Sequence, residues 1–201
     1  MRLFLASESP RRRELLKRLV TEFEVESADV CELDGLSGLS AERVVLHNAA
    51  QKAHYVSVRH PSDWVLGADT VVVLDGQIYG KPADLTEARD FLQRFSGREH
   101  QVITGVSLQN QSVGTTIEFV AESRVRFRNL STGIIEEYLS QVPVLDKAGA
   151  YGMQDHGDLL VEAISGELEN IIGLPVQALQ EHFQQAGIDK LLPMAALREQ
   201  Q

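Results

Sequence analysis

Residues 64–74 read Trp-Val-Leu-Gly-Ala-Asp-Thr-Val-Val-Val-Leu, an apolar run broken by one carboxylate and followed directly by Asp75-Gly76. The valines and the Asp-Gly pair predict a strand and a tight hairpin into Gln77-Ile78-Tyr79. A carboxylate inside such a strand is costly unless a partner satisfies it. Two accounts of Asp69 stand: Gly67 marks a break that brings it to the surface, or it is held inside for chemistry. The continuity of the run favours the second. Counting back from the turn, Leu74 faces Gln77 and Thr70 faces Lys81, which places Lys81 away from Asp69. A bulge at Gly80 would swing it over, so Gly80-Lys81-Pro82 is the expected partner segment.

The remaining pattern mixes helices and strands. Leu3–Ala6 is a short apolar run, and Ser9-Pro10 opens a helix carrying Leu15, Leu16 and Leu19, with serine at the cap and proline in the first turn. Val44, Val45, Ala49 and Ala53 recur at helical spacing from Ala41 to about Val56. Asp84 and Glu87 are placed like a capping box for a helix ending at Phe95. Val102–Leu108 and Ile117–Phe127 read as strands, Ile134–Leu139 as a short helix, Leu159–Ile164 and Asn170–Ile172 as strands, and Val176–Gln185 as a closing helix. No strict βαβ rhythm appears. The expected architecture is a mixed, twisted α/β sheet flanked by helices, one domain over residues 1–201 whose two lobes enclose a cleft.

Composition excludes several classes. With one cysteine in 201 residues, no intrachain disulfide, multi-cysteine zinc module or CxxC pair can form. Cys31 reads as a packing residue, since nothing nearby would activate it. The six histidines show no HxH or HExxH spacing. No leader-like segment follows Met1 and no run nears the roughly 18 apolar residues of a membrane span, so a cytoplasmic chain without membrane partners is expected. The net charge of −10 argues against polymeric nucleic acid. A small anion bound in a local basic pocket or through a metal ion remains compatible with it.

Three further segments carry polar chemistry. Ser7-Glu8-Ser9-Pro10-Arg11-Arg12-Arg13 joins hydroxyls and guanidiniums at a helix start, which suits phosphate; the plainer account is a solvated basic face. Glu32, between Asp29 and Asp34, offers a hard oxygen ligand for Mg²⁺ or Mn²⁺, or belongs to a solvated acidic loop. Asp146-Lys147-Ala148-Gly149-Ala150-Tyr151-Gly152-Met153-Gln154 has backbone that a ligand can approach closely and, in Gln154, both a donor and an acceptor; alone it is an ordinary glycine-containing loop. There is no P-loop and no GxGxxG.

Taken in order, Ser7-x-Ser9-Pro10-Arg11-Arg12, Gln51-Lys52-Ala53, Gly67-Ala68-Asp69-Thr70-Val71-Val72, Gly80-Lys81-Pro82, Gly97-x-x-His100-x-Val102-x-Thr104-Gly105, Asp146–Gln154 and Gly173-Leu174-Pro175 resemble the Maf family of nucleoside triphosphate pyrophosphatases. The resemblance runs from Leu3 to about Leu179. It implies a fold similar to inosine-triphosphatase-like enzymes and metal-dependent hydrolysis of a nucleoside triphosphate to the monophosphate and pyrophosphate. The Asp146–Gln154 loop resembles the branch acting on dTTP and UTP rather than that acting on 7-methyl-GTP. By resemblance, Asp69 is the proton acceptor and Glu32 matches a polar cleft position; the two are the expected metal ligands. Arg11, Thr70 and Gln154 are associated with substrate choice, and Ser7, Ser9, Arg12, Lys52 and Lys81 match polar cleft positions. The chain departs from the pattern at His47-Asn48-Ala49, where the family commonly has an Arg-Leu-Ala-like sequence, at Cys31-Glu32, and at Met153 for isoleucine. A nucleotide-binding regulator of septum formation without turnover is the alternative class, and a homodimer is left open.

Overall fold

The computed structural model describes residues 2–35 and 38–188. One sheet contains β1 (Leu3–Leu5), β2 (Glu24–Val25), β3 (Trp64–Leu74), β4 (Gln77–Tyr79), β5 (Glu99–Asn110), β6 (Thr115–Phe127) and β7 (Val161–Ser165). Its order is β2-β1-β3-β5-β6-β7, with β4 also on β3. β1 is parallel to β2 and β3, and the other pairings are antiparallel. The helices are α1 (Pro10–Leu19), α2 (Ala41–Ser57), α3 (Leu85–Phe95), α4 (Thr132–Gln141), α5 (Gly157–Leu160), α6 (Leu168–Ile172) and α7 (Val176–Gln185). No described helix is long and apolar enough to cross a membrane.

The edges of β3 explain where a cleft opens. β5 covers one edge from Val65 to Val73. On the other edge, β1 pairs with Trp64–Leu66 and β4 pairs with Val72–Leu74, so residues 67–71 lie between the two partners. β1 runs parallel to β3 and β4 runs antiparallel, so both chains leave their ladders toward this gap. The Ser7–Arg12 turn enters it from one side and Gly80-Lys81 from the other.

α2 lies unusually close to the sheet, and two glycines permit this. A Cβ on Gly67 would sit 2.2 Å from the Ala49 carbonyl oxygen, and one on Gly105 would sit 2.5 Å from the Val45 carbonyl carbon. The opposite face carries two buried clusters. Leu15, Leu16 and Leu19 of α1 meet Leu179 and Phe183 of α7 over Leu66 and Val106. Leu92 and Phe95 of α3 meet Ile135 and Tyr138 of α4 over Val72 and Val102.

Most expected elements are present, and three expectations need correction. Asn170–Ile172 is helical, within α6, and Leu159-Leu160 belong to α5, so the strand begins at Val161. Short apolar pairs do not distinguish helix from strand by period. Here Asn170 settles it by sending its amide into the sheet, donating to the Val102 carbonyl at 3.1 Å and to Ser123 Oγ at 3.0 Å. The third concerns Cys31, which is exposed rather than packed. The edge strand β2 gave no clear signal in advance, being two exposed residues long. Residues 189–201 of the expected domain lie outside the described residues.

Candidate active site

Successive residues of a strand face opposite sides of its sheet. Asp69 therefore points to α2 and Thr70 to α1 and α6, and the gap in the sheet lets both line one cleft of about 870 Å³. Ser7, Ser9, Arg11, Arg12, Glu32, Lys52, Asp69, Thr70, Lys81 and Gln154 all line it. The structure thus brings these ten candidates together, while Arg13 and Asp29, noted beside them in the sequence, do not line the cleft.

Asp69 is buried and held at both oxygens. Lys52 Nζ lies 2.9 Å from Oδ1, and Asn48 Nδ2 donates to Oδ2 at 2.9 Å. Asn48 and Lys52 are one helical turn apart, so α2 presents both to the same carboxylate. Lys52 Nζ also lies 3.1 Å from Glu32 Oε2, which makes Glu32 and Asp69 neighbours across one ammonium group. The expected partner of Asp69 is corrected here. It is Lys52, not Lys81: β4 leaves its ladder after Tyr79, and the Gly80 carbonyl accepts from Gly149 N–H at 2.9 Å instead. Lys81 stands exposed on the cleft wall.

The other wall is the start of α1. Ser9 caps it, its hydroxyl accepting from the Arg12 amide at 3.4 Å. Arg12 reaches across the gap, donating from Nε to the Gly173 carbonyl at 2.9 Å, from Nη2 to Thr70 Oγ1 at 3.1 Å and from Nη1 to Ser7 Oγ at 3.4 Å. Burial lowers its pKa from the ordinary arginine value, while the charges of Asp69 and Glu32 oppose the shift. Thr70 also shares a hydroxyl contact of 3.0 Å with Thr104.

The far end of the cleft is the loop before α5. Arg11 Nη1 donates to Asp146 Oδ2 at 2.8 Å, and its Nη2 to the Asp146 carbonyl at 3.1 Å. Burial pushes the Asp146 carboxyl up, but hydrogen bonds from Lys147 and Arg11 outweigh it and hold the group below its usual range. Lys147 is buried, its Nζ donating to the Pro143 carbonyl and to Asp146 Oδ1 at 2.9 Å. Two hydroxyl groups anchor the turn ahead of Gln154. Tyr138 Oη accepts from the Gly152 amide at 2.9 Å, and Tyr151 Oη meets His100 Nε2 at 2.8 Å. Burial raises the pKa of Tyr138 to about 12 and also raises that of Tyr151.

Sequence reasoning missed Asn48 and did not assign Asp146, Lys147, Tyr151 or His100. A polar residue four positions before Lys52, on the apolar face of α2, was the available signal for Asn48. Among the described residues, no group of three His, Cys, Asp or Glu side chains could hold a metal unaided. The adjacent carboxylates of Glu32 and Asp69 nevertheless fit an ion of the Mg²⁺ or Mn²⁺ class, which takes one or two carboxylates and completes its shell with water and phosphate oxygens.

Comparisons with known proteins agree with this architecture. Residues 2–186 match the family described as Maf-like protein. The chain is 46% identical over 179 residues to a dTTP/UTP pyrophosphatase of Clostridioides difficile (strain 630), covering 89% of this chain and 92% of that one. A dTTP/UTP pyrophosphatase of Myxococcus xanthus (strain DK1622) is 45% identical over 186 residues, covering 92% and 93%. The solved structure of the Staphylococcus aureus Ham1 protein superposes with a TM-score of 0.55 at 16% identity, over 92% of this chain and 100% of that one, a likeness of fold alone. With the family pattern matched over nearly its whole length and close relatives covering the same span, the chain belongs to the Maf family.

Proposed function

We propose that the protein hydrolyses dTTP and UTP to the monophosphate and pyrophosphate in the cytoplasm. The observation that carries this reading is a buried carboxylate, Asp69, held by Lys52 and Asn48 in one cleft with the capped helix start that bears Arg11 and Arg12. The relatives named dTTP/UTP pyrophosphatase support the substrate class.

Arg11, Arg12, Lys52 and Lys81 offset the charge of the triphosphate, and the positive dipole end of α1 adds to them. Water attacks the α-phosphorus, its proton passes to Asp69, and pyrophosphate leaves. A divalent ion held by Glu32 and Asp69 would neutralise phosphate charge and stabilise the departing pyrophosphate. Uracil and thymine present one N–H between two carbonyls. Gln154, with both an amide donor and an acceptor, matches part of that edge, and the Gly149–Gly152 backbone can approach the remainder.

A panel of dTTP, UTP, GTP and 7-methyl-GTP, assayed for pyrophosphate release with Mn²⁺, tests the substrate. Preference for the two pyrimidines is expected, and preference for 7-methyl-GTP would overturn the loop reading. Asp69→Asn preserves shape and removes the base, so its rate should fall by about 100-fold or more. Near-normal turnover of that variant rules out Asp69 as the base. Binding of dTTP without turnover by the unaltered protein favours a regulator instead.

A further inference from the structure

Asn48 stands where the Arg-Leu-Ala-like pattern would place leucine, and it is 1% exposed. Its amide is bonded on both ends. Oδ1 accepts from the Leu33 amide at 2.8 Å, while Nδ2 donates to the Leu33 carbonyl at 2.9 Å and to Asp69 Oδ2 at 2.9 Å. Only one orientation of the amide serves all three contacts. A carboxylate oxygen needs a donor, and the N–H and carbonyl of one backbone residue need opposite partners. Leu33 therefore fixes the direction in which the second Nδ2 hydrogen points.

We propose that Asn48 is a positioning residue that sets the orientation of the Asp69 carboxylate for proton acceptance. The terminal torsion of an aspartate is broad, so one bond from Lys52 to Oδ1 leaves the plane of the group loosely defined. A second donor on Oδ2, anchored to the backbone, defines it. Each carboxylate oxygen keeps another lone pair, and these remain for groups entering the cleft. The inference rests on the reading of Asp69 as the base.

A double-mutant cycle tests it. Asn48→Leu keeps the volume and removes the donor. Its kcat should fall on the order of tenfold while KM for dTTP stays within about twofold, since orientation matters to the reacting group more than to binding. In the Asp69→Asn background the same change should cost less than about twofold, because the group it acts through is gone. Hydrogen exchange at the Leu33 amide should accelerate in Asn48→Leu, confirming that the anchor was present. A full tenfold loss in the Asp69→Asn background would overturn the proposal, as would an unchanged kcat in the single variant. If Asn48→Leu fails to fold, Asn48→Ser, which leaves room for water at Leu33, carries the same cycle with the same expected and overturning outcomes. A near-normal Asp69→Asn rate alone refutes the base, not the hydrogen bond, which the Leu33 exchange reads separately.

Discussion

The two ends of the cleft are held by different means. At the carboxylate end, three of the four candidate side chains stand on a strand or helix: Asp69 on β3, Asn48 and Lys52 on α2, with α2 pressed onto the sheet at Gly67 and Gly105, while Glu32 stands on irregular chain beside them. At the other end, Asp146, Tyr151 and Gln154 lie on irregular chain that turns through Gly149 at φ 68° and Ala150 at φ 62°. A left-handed alanine costs energy and persists only where its surroundings insist on it. Here they are the Tyr138 and Tyr151 hydroxyl bonds and the Lys147 contacts. A group that must meet a reacting atom gains from a rigid mount, while the end proposed to select the base can be re-formed by changing a loop.

The largest test of this contrast is Lys52→Met. It leaves two carboxylates facing each other without the ammonium group between them, one of them buried. Removing one partner of a buried ion pair costs roughly 3–5 kcal/mol, and a drop of that size in urea-unfolding free energy is expected along with loss of activity. An unchanged urea midpoint would mean that Lys52 does not hold the carboxylate end together.

The sequence made the carboxylate end partly visible. The apolar run around Asp69, the Asp75-Gly76 turn and the Ser9 cap are local signals, and each is realised. What failed were inferences that needed a distant residue. Extending the hairpin count to Lys81 assumed that the ladder continues, but the Gly80 carbonyl is taken by Gly149, far along the chain. The apolar neighbours of Asn170 suit a strand as well as a helix, and nothing local reveals that its amide finds Val102. The cleft itself arises because β1 and β4 share one edge of β3, and no single segment encodes that.

His100 tests the loop end at intermediate scale. Its ring stacks on Phe95, meets Phe127 edge-on and bonds to the Tyr151 hydroxyl. Burial lowers its pKa from 6.5 to about 4. As pH falls through this interval the unfolded chain takes up the proton first, so the folded state loses stability from about pH 6.5 down to about pH 4. The loss amounts to about 3 kcal/mol over the whole interval. His100→Phe keeps an aromatic ring and removes this term. The stability difference between the variant and the unaltered protein should therefore shift in the variant's favour as the solution is acidified. A difference independent of pH would show that His100 is not held neutral.

The smallest effect is expected from Asp146→Asn, which removes the charge but keeps an acceptor for the buried Lys147 ammonium, itself also held by the Pro143 carbonyl and near Asp155. The Arg11–Asp146 pair is the bridge from the helix start to the loop, but its side chains are 23% and 53% exposed. Exposed pairs contribute about 1 kcal/mol or less, and the Arg11 bond to the Asp146 carbonyl survives the substitution. Stability should change by less than about 1 kcal/mol. Because Asp146 occupies the guanidinium proposed to meet phosphate, KM for dTTP should fall, by about fivefold at most on the energy of an exposed pair. The small effect would separate this end from the carboxylate end, where one substitution is expected to cost several times as much. A KM that rises tenfold instead would place Asp146 among the groups that bind substrate, and the two ends would then be equally built.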